Sequence, residues 1–298
     1  MRFILLGGRG ILGSAFRTQL ERRGADVALV RPPWGAAAEA ATFVRSELSR
    51  LLGRCGPTTL IWAAGVGHVG ASAGELEAET AGLEAAAEAL RALAPAAAAA
   101  TTVLFSSSAG AIFAGAEGII DEQSEPCPVA PYGREKLRQE QLLRRVSQET
   151  GARVIACRIS NLYGLADGRL TARGLISIAV RCTRLRQPMT VFVSPDTRRD
   201  YLLSSDAATL ALQQLDSAQP GFSTALIREG RSRTIAEVLG LIGAVARRRV
   251  PAVYAERPES RLQPRSLRFS APVALPGNTR LTPMETGIAR MVMAPLAV

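Results

Sequence analysis

The 298 residues can bury an ordinary core and suggest one large domain or two unequal, interlocked ones. The net charge of +10 is scattered rather than clustered, and its densest run, Arg247-Arg248-Arg249, closes an apparent helix and suits the negative end of the dipole, so nucleic acid is set aside as a partner. No stretch approaches the roughly 20 apolar residues of a membrane helix, and Cys55, Cys127, Cys157, Cys182 and the lone His68 lack zinc spacing, so a soluble cytoplasmic protein with free thiols, no membrane and no metal is expected.

In chain order, Arg2–Leu6 reads as a buried strand, Gly7–Gly13 as a glycine-rich turn, Ile11–Arg23 as a helix and Asp26–Val30 as a second strand. The alternation continues with a strand at Thr59–Ala63, an alanine-rich helix at Glu75–Leu93, a strand at Thr102–Phe105, a helix at Tyr132–Gln148 and a strand at Arg153–Arg158. Such a pattern implies an α/β fold whose parallel sheet is covered on both faces. Beyond Asn161 the connections become rich in Gly, Arg and Pro, with a helix near Leu175–Leu185 and a strand at Thr190–Val193. Tyr201–Leu215 again reads as strand then helix. The expected division is therefore a dinucleotide-binding domain over 1–160, rejoined by 200–216, and a substrate-binding lobe over 161–199 and 217–298. Ala96–Ala100 is the one low-complexity run and reads as a helix end or connector.

Gly7, Gly10 and Gly13 join the first strand to the first helix, where backbone N–H groups can approach a pyrophosphate lying on the helix N-terminus. The alternative for such a turn is plain packing. Arg9, Ile11 and Leu12 share the turn, and Ala63 and Ala64 end the next strand at the same edge, so all are candidate cofactor contacts. Where an NAD-selective site carries an acid, this chain has Val30-Arg31; an arginine suits a 2′-phosphate, which favours NADP(H) over NAD(H).

Of the 36 basic residues only Lys136 is lysine, and it stands four residues after Tyr132. On a helix that spacing puts phenol and ammonium on one face. A free tyrosine, with a pKa near 10, exchanges protons poorly at neutral pH, and a fixed positive charge beside it stabilises the phenolate. The alternative is an ordinary surface pair. Ser106-Ser107-Ser108 follows a buried strand at the ligand-binding edge; Ser108, then Ser107, is the candidate hydroxyl to orient a carbonyl. His68 reads as a loop residue near the site, and Trp34 and Trp62 as packing residues.

With these features stand Asp121-Glu122 and Pro128, then Arg158-Ile159-Ser160-Asn161-Leu162-Tyr163-Gly164, and Arg198-Arg199-Asp200-Tyr201 leading into Asp206-Ala207-Ala208. In that order they resemble the extended short-chain dehydrogenase/reductase family, the NAD-dependent epimerase/dehydratase group acting on nucleotide sugars. The resemblance implies a Rossmann-type doubly wound parallel sheet with a smaller, interwoven C-terminal lobe. It implies a Ser108, Tyr132 and Lys136 site in which Lys136 also holds the nicotinamide ribose, and a nucleotide-sugar-like substrate held through its diphosphate by Asn161 and Arg199, with Arg257 as a further contact. The alternatives are a turn residue for Asn161 and, for Arg199, a buried salt bridge with Asp200 or Asp206. The chain departs from the family over Arg31–Pro57, where Pro32-Pro33-Trp34 and a helix replace a strand, and at Ser204-Ser205-Asp206. Ala109-Gly110 after Ser108 disfavours dehydration, which needs an added acid and base. The segment from Arg173-Gly174-Leu175-Ile176-Ser177 onward resembles 4-ketoreductases of deoxysugar pathways. The expected activity is NADPH-dependent reduction of a nucleoside-diphosphate 4-keto-6-deoxy sugar; a 4-epimerase with tightly held NAD and a non-catalytic NADP-sensing regulator are the rivals. The helices Glu75–Leu93 and Tyr132–Gln148 resemble those that pair subunits, implying a homodimer.

Overall fold

The structure, a computed structural model, describes residues 2–52, 56–65, 71–217, 219–257, 260, 263–272 and 279–296; the expectations for Cys55 and His68 lie outside them. Three strands, β1 (Arg2–Leu6), β2 (Asp26–Val30) and β3 (Thr58–Trp62), alternate with helices α1 (Ile11–Arg22), α2 (Ala37–Leu52) and α3 (Ala73–Arg91). Residues on successive positions of one strand enter opposite cores. Ile4 and Leu6 pack with α2 and α3, whereas Phe3 and Leu5 pack with Phe16 and Leu20 of α1. α1 presents Leu12, Phe16 and Leu20 at four-residue spacing to that face. α3 begins at a capping box in which Ser72 and Glu75 satisfy each other's backbone N–H groups.

The alanine run forms a short helix, α4 (Pro95–Ala99), ahead of β4 (Thr101–Ser108). After it come α5 (Ala109–Ile112), β5 (Ile119–Ile120), α6 (Pro131–Thr150) and β6 (Arg153–Ile159). The smaller elements β7 (Asn161–Tyr163), β8 (Leu165–Ala166), β9 (Arg169–Leu170), α7 (Leu175–Leu185) and β10 (Met189–Val191) lead to β11 (Arg198–Leu203) and α8 (Ser204–Gln213). β12 (Phe222–Ile227), β13 (Ser232–Thr234), α9 (Ile235–Ala246), β14 (Ala252–Tyr254), β15 (Arg268–Phe269) and α10 (Met284–Met293) complete the described order.

The main sheet has six strands in the order β12-β6-β4-β3-β1-β2, every pair parallel. Chain order reverses between β1 and β3, which places a crevice at their carboxyl ends, where open α/β sheets take ligands. A separate core behind β7 and β11 joins α7, α9 and α10 through Ile176, Val180, Val238, Ile242 and Ile288.

The expected return of 200–216 to the main sheet needs correction. β11 pairs with β7 and β13 in a three-stranded sheet, and only α8 rejoins the main body, through Ala207, Ala208 and Ala211 against the α1 face. The strand that completes the main sheet is β12, placed by the sequence in the lobe. Its partly exposed residues beside β6 mark an edge strand, which lacks the fully apolar pattern of a central one. Among the described residues, no helix is long and apolar enough to cross a membrane, and no group of three His, Cys, Asp or Glu could hold a metal.

Candidate active site

The glycine turn is shaped by contact. Gly7 has φ +88°, and a Cβ there would lie 2.4 Å from the Ala63 carbonyl oxygen; one on Gly13 would lie 2.0 Å from that of Gly7. Only bare backbone lets the turn fold under β3 and against α1 in this way. Gly10, the N-cap of α1, offers no side chain to the first helical N–H groups, and the first turn carries no acid. An anion can therefore take those donors. Arg9 is exposed on this turn, and Arg31 is exposed immediately past Val30, which pairs with Leu6 across β1 and β2.

From the turn, a cleft of about 630 Å³ runs across the carboxyl ends of the strands. It brings together Arg9, Gly10, Ile11, Leu12, Ala63, Ala64, Ser107, Ser108, Tyr132, Lys136 and Asn161. Gly7 and Gly13 support this wall from behind. Arg31, Arg199 and Arg257 are not part of it. Arg257 is exposed, with its guanidinium 3.4 Å from the centroid of the Phe192 ring. Arg199 is buried on β11 and its Nη1 donates to the Arg198 carbonyl (2.8 Å). The salt bridge considered for it is absent among the described residues: Asp200 accepts from the N–H groups of Glu229 and Gly230, and Asp206 from Thr282. Burial lowers the Arg199 pKa from its ordinary value.

Tyr132 sits half-buried in the first turn of α6, which Pro131 starts. Ser108, at the last position of β4, lines the cleft with the phenol and favours its ionised form. One turn on, Lys136 lies with its Nζ 5.9 Å from the centroid of the Tyr132 ring. The ammonium donates to Glu79 Oε1 (2.6 Å) and the Ser106 carbonyl (3.5 Å). The expected lowering of the phenol pKa needs correction: it is raised, because burial, aided by the Glu79 carboxylate, outweighs the opposing effects of Lys136 and Ser108. Lys136 is raised as well; burial acts against its charge, but Glu79 and Tyr132 hold the proton on.

Ser107 is engaged elsewhere. Its hydroxyl donates to Glu140 Oε1 (2.6 Å), and Glu140 is paired with Arg158 (2.8 Å). Alternation along β4 turns it from the phenol, so the hydroxyl at the reacting position is that of Ser108. Ser106 Oγ and Ser160 Oγ, on the cleft wall, are buried without a hydrogen-bond partner among the described residues. These orphaned groups, the bare-glycine cradle and the uncapped α1 terminus fit a dinucleotide. Trp34 and Trp62 pack edge to face, centroids 6.4 Å apart, away from the cleft.

The sequence reading missed Glu79, which is 1 % exposed. The signal was present, since Glu79 shares the buried stripe of α3 with Leu83, Ala86 and Leu90 at spacings of four, three and four. It also missed Arg173 and Gly174, which line the opposite wall.

A UDP-glucose 4-epimerase of Azospirillum brasilense is 33% identical over 172 residues, 52% of this chain and 49% of that protein. A dTDP-4-dehydro-6-deoxyglucose reductase of Escherichia coli is 29% identical over 104 residues, 35% of this chain and 33% of that protein. The chain thus spans about half the length, or less, of these curated relatives. Among solved structures, the UDP-glucose 4-epimerase of Thermus thermophilus in complex with NAD superposes with a TM-score of 0.80 at 21% identity, covering 98% of both chains. That of Brucella ovis in complex with NAD gives 0.79 at 23% identity, again over 98% of both. The family model described as NAD dependent epimerase/dehydratase matches residues 3–224, three quarters of the chain, and the chain belongs to that family.

Proposed function

We propose that the protein is an NAD(P)-dependent oxidoreductase that reduces a carbonyl of a nucleoside-diphosphate 4-keto-6-deoxy sugar. The observation that carries this reading is the meeting of Ser108, Tyr132 and Lys136 in the cleft that the glycine turn opens. When bound, the nicotinamide supplies the hydride. Tyr132 gives its proton to the carbonyl oxygen, Ser108 donates a hydrogen bond to that oxygen, and Lys136 holds the nicotinamide ribose. A phenol kept protonated by its surroundings suits the donor role. Gly7, Gly10 and Gly13 cradle the pyrophosphate, Ile11, Leu12, Ala63 and Ala64 line the coenzyme channel, and Arg9 and Arg31 take a 2′-phosphate, which favours NADP(H).

The substrate diphosphate falls to Asn161, Arg173 and Arg199. Arg199 supports this assignment because a buried guanidinium with no carboxylate partner among the described residues is costly until an anion meets it. Arg257 stays a more distant candidate. We place the protein in the cytoplasm, consistent with the free thiols Cys127, Cys157 and Cys182, and assign α3 and α6, which meet through the Arg138–Glu84 pair, as the face of a homodimer.

The second reading is a nucleotide-sugar 4-epimerase, favoured by the UDP-glucose 4-epimerases above, which would hold NAD. Absorbance at 340 nm separates the two. Consumption of NADPH with a dTDP- or UDP-linked 4-keto-6-deoxyhexose is the expected result. Interconversion of UDP-glucose and UDP-galactose, without net change at 340 nm and with NAD recovered from denatured protein, would overturn the reductase reading.

A further inference from the structure

Lys136 does not face Tyr132 as a lone ammonium. Its Nζ is 2.6 Å from Glu79 Oε1, and the two side chains are only 6% and 1% exposed, so the pair is sealed at the base of the cleft. A carboxylate on the apolar stripe of α3 has a large desolvation cost and persists only against a well-placed cation. The neighbouring backbone accommodates it: a Cβ on Gly65 would lie 2.5 Å from Glu79 Oε2, so that position is kept bare where the carboxylate sits.

Among the described residues, the charges acting on the phenol are Lys136, on the same helix, and Glu79, from α3. Glu140, one turn further along α6, acts on Lys136 and is itself held by Arg158. β4 adds only hydroxyls and a carbonyl, and Arg9 enters from the glycine turn. Formally the buried pair has no net charge, so the phenol meets a dipole rather than a cation.

We propose that Glu79 is a positioning residue of the site: it fixes the Lys136 ammonium and offsets its charge, keeping Tyr132 in the proton-donating form. This inference rests on the reading of Tyr132 and Lys136 given above. It sets the direction in which the site works best, because a neutral phenol gives a proton to a nascent alkoxide, whereas oxidation needs the phenolate. Reduction transfers hydride to the carbonyl carbon and the Tyr132 proton to its oxygen, and solvent then reprotonates the phenolate.

The test needs no substrate. In coenzyme-free protein, ultraviolet titration of tyrosinate, with the Tyr132→Phe protein subtracted, isolates the Tyr132 component. Glu79→Gln, which keeps the shape and removes the charge, is expected to lower its midpoint, and Glu79→Asp to restore it toward the parent. An unchanged or higher midpoint in Glu79→Gln would overturn the proposal. Should Glu79→Gln fail to fold, Gly65→Ala crowds the carboxylate from its seat and is expected to move the midpoint the same way; an unmoved midpoint there would be equally fatal. If the oxidoreductase reading holds, oxidative turnover at a fixed pH below the midpoint rises on the order of tenfold for each unit the midpoint falls. A lowered midpoint in a protein that turns over no carbonyl would leave the Glu79 role standing and sink the reductase reading.

Discussion

The two walls of the cleft are built differently. On one side Ser108, Tyr132 and Lys136 stand on β4 and α6, long elements anchored in the main-sheet core, and line the cleft together, with the Lys136 Nζ 5.9 Å from the Tyr132 ring centroid. On the other, Asn161 and Arg173 come from the three-residue strand β7 and the turn before α7, around a separate core, and the buried Arg199 lies outside the cleft lining on β11, which pairs with β7. Groups that move a proton need fixed distances and stand on the rigid wall, whereas the wall of short elements can vary with the ligand it must recognise. The sharpest way to break this contrast is to damage each wall in turn. Tyr132→Phe is expected to lower kcat on the order of 10³-fold with little change in KM, because the proton donor acts only in the transition state. Arg199→Lys keeps the charge but loses the fork, and is expected to raise the KM for the sugar nucleotide about tenfold at nearly constant kcat. Initial rates over a substrate series decide both. A kcat loss in Arg199→Lys as deep as that of Tyr132→Phe would mean that the walls do not divide the labour.

Within the rigid wall, neighbouring serines of β4 make a smaller version of the same comparison. Ser108 faces the phenol, and Ser107 faces the Glu140–Arg158 pair on the other side of the strand. Ser108→Ala is expected to cost about 10²-fold in kcat and little in stability. Ser107→Ala removes a donor from a buried carboxylate, so it should leave kcat near the parent value and cost about 1–2 kcal/mol, a few degrees in Tm. Rates and thermal melts on the same two proteins check this; a kcat loss confined to Ser107→Ala would reverse the assignment.

The legible parts were those governed by local periodicity and spacing. The alternating elements, the glycine turn and the four-residue step from Tyr132 to Lys136 could be read because a helix or strand fixes them with no knowledge of the rest of the chain. The place of β12 was not legible, since an edge strand after a long crossover shows only partial burial. Neither was the state of the phenol. Its pKa direction depends on burial and on Glu79, 53 residues away in the chain, and only the packing of α3 against α6 brings the carboxylate to the ammonium. Arg199 illustrates the same limit: the sequence offered two aspartates as partners, and the backbone N–H groups of 229, 230 and 282 had already taken both.

The smallest expected effect compares the two cores through alkaline melting. Cys157, buried among Leu104, Ile155 and Leu210 in the main core, is pushed by burial from an ordinary 9.0 to about 12. Tyr201, in the lobe core on β11, is pushed by burial from 10.0 to about 12. In each case the folded state holds the proton more tightly than the unfolded chain, so the contribution to stability is complete below the unfolded value and is lost as pH rises toward the folded one. The thiol therefore begins to weaken the fold above about pH 9 and the phenol above about pH 10. Tyr132 and Lys136, also raised, add to the decline in the same sense above pH 10. Under reducing conditions, Tm should hold steady to about pH 9 and fall beyond it. Cys157→Ala, after its own constant offset, should fall less steeply than the parent from about pH 9 to about 12, most visibly below pH 10, where the thiol acts before the phenols. Melts that stay parallel from pH 9 upward would show that the main core does not yield first, leaving the lobe core and the cleft to account for the alkaline loss.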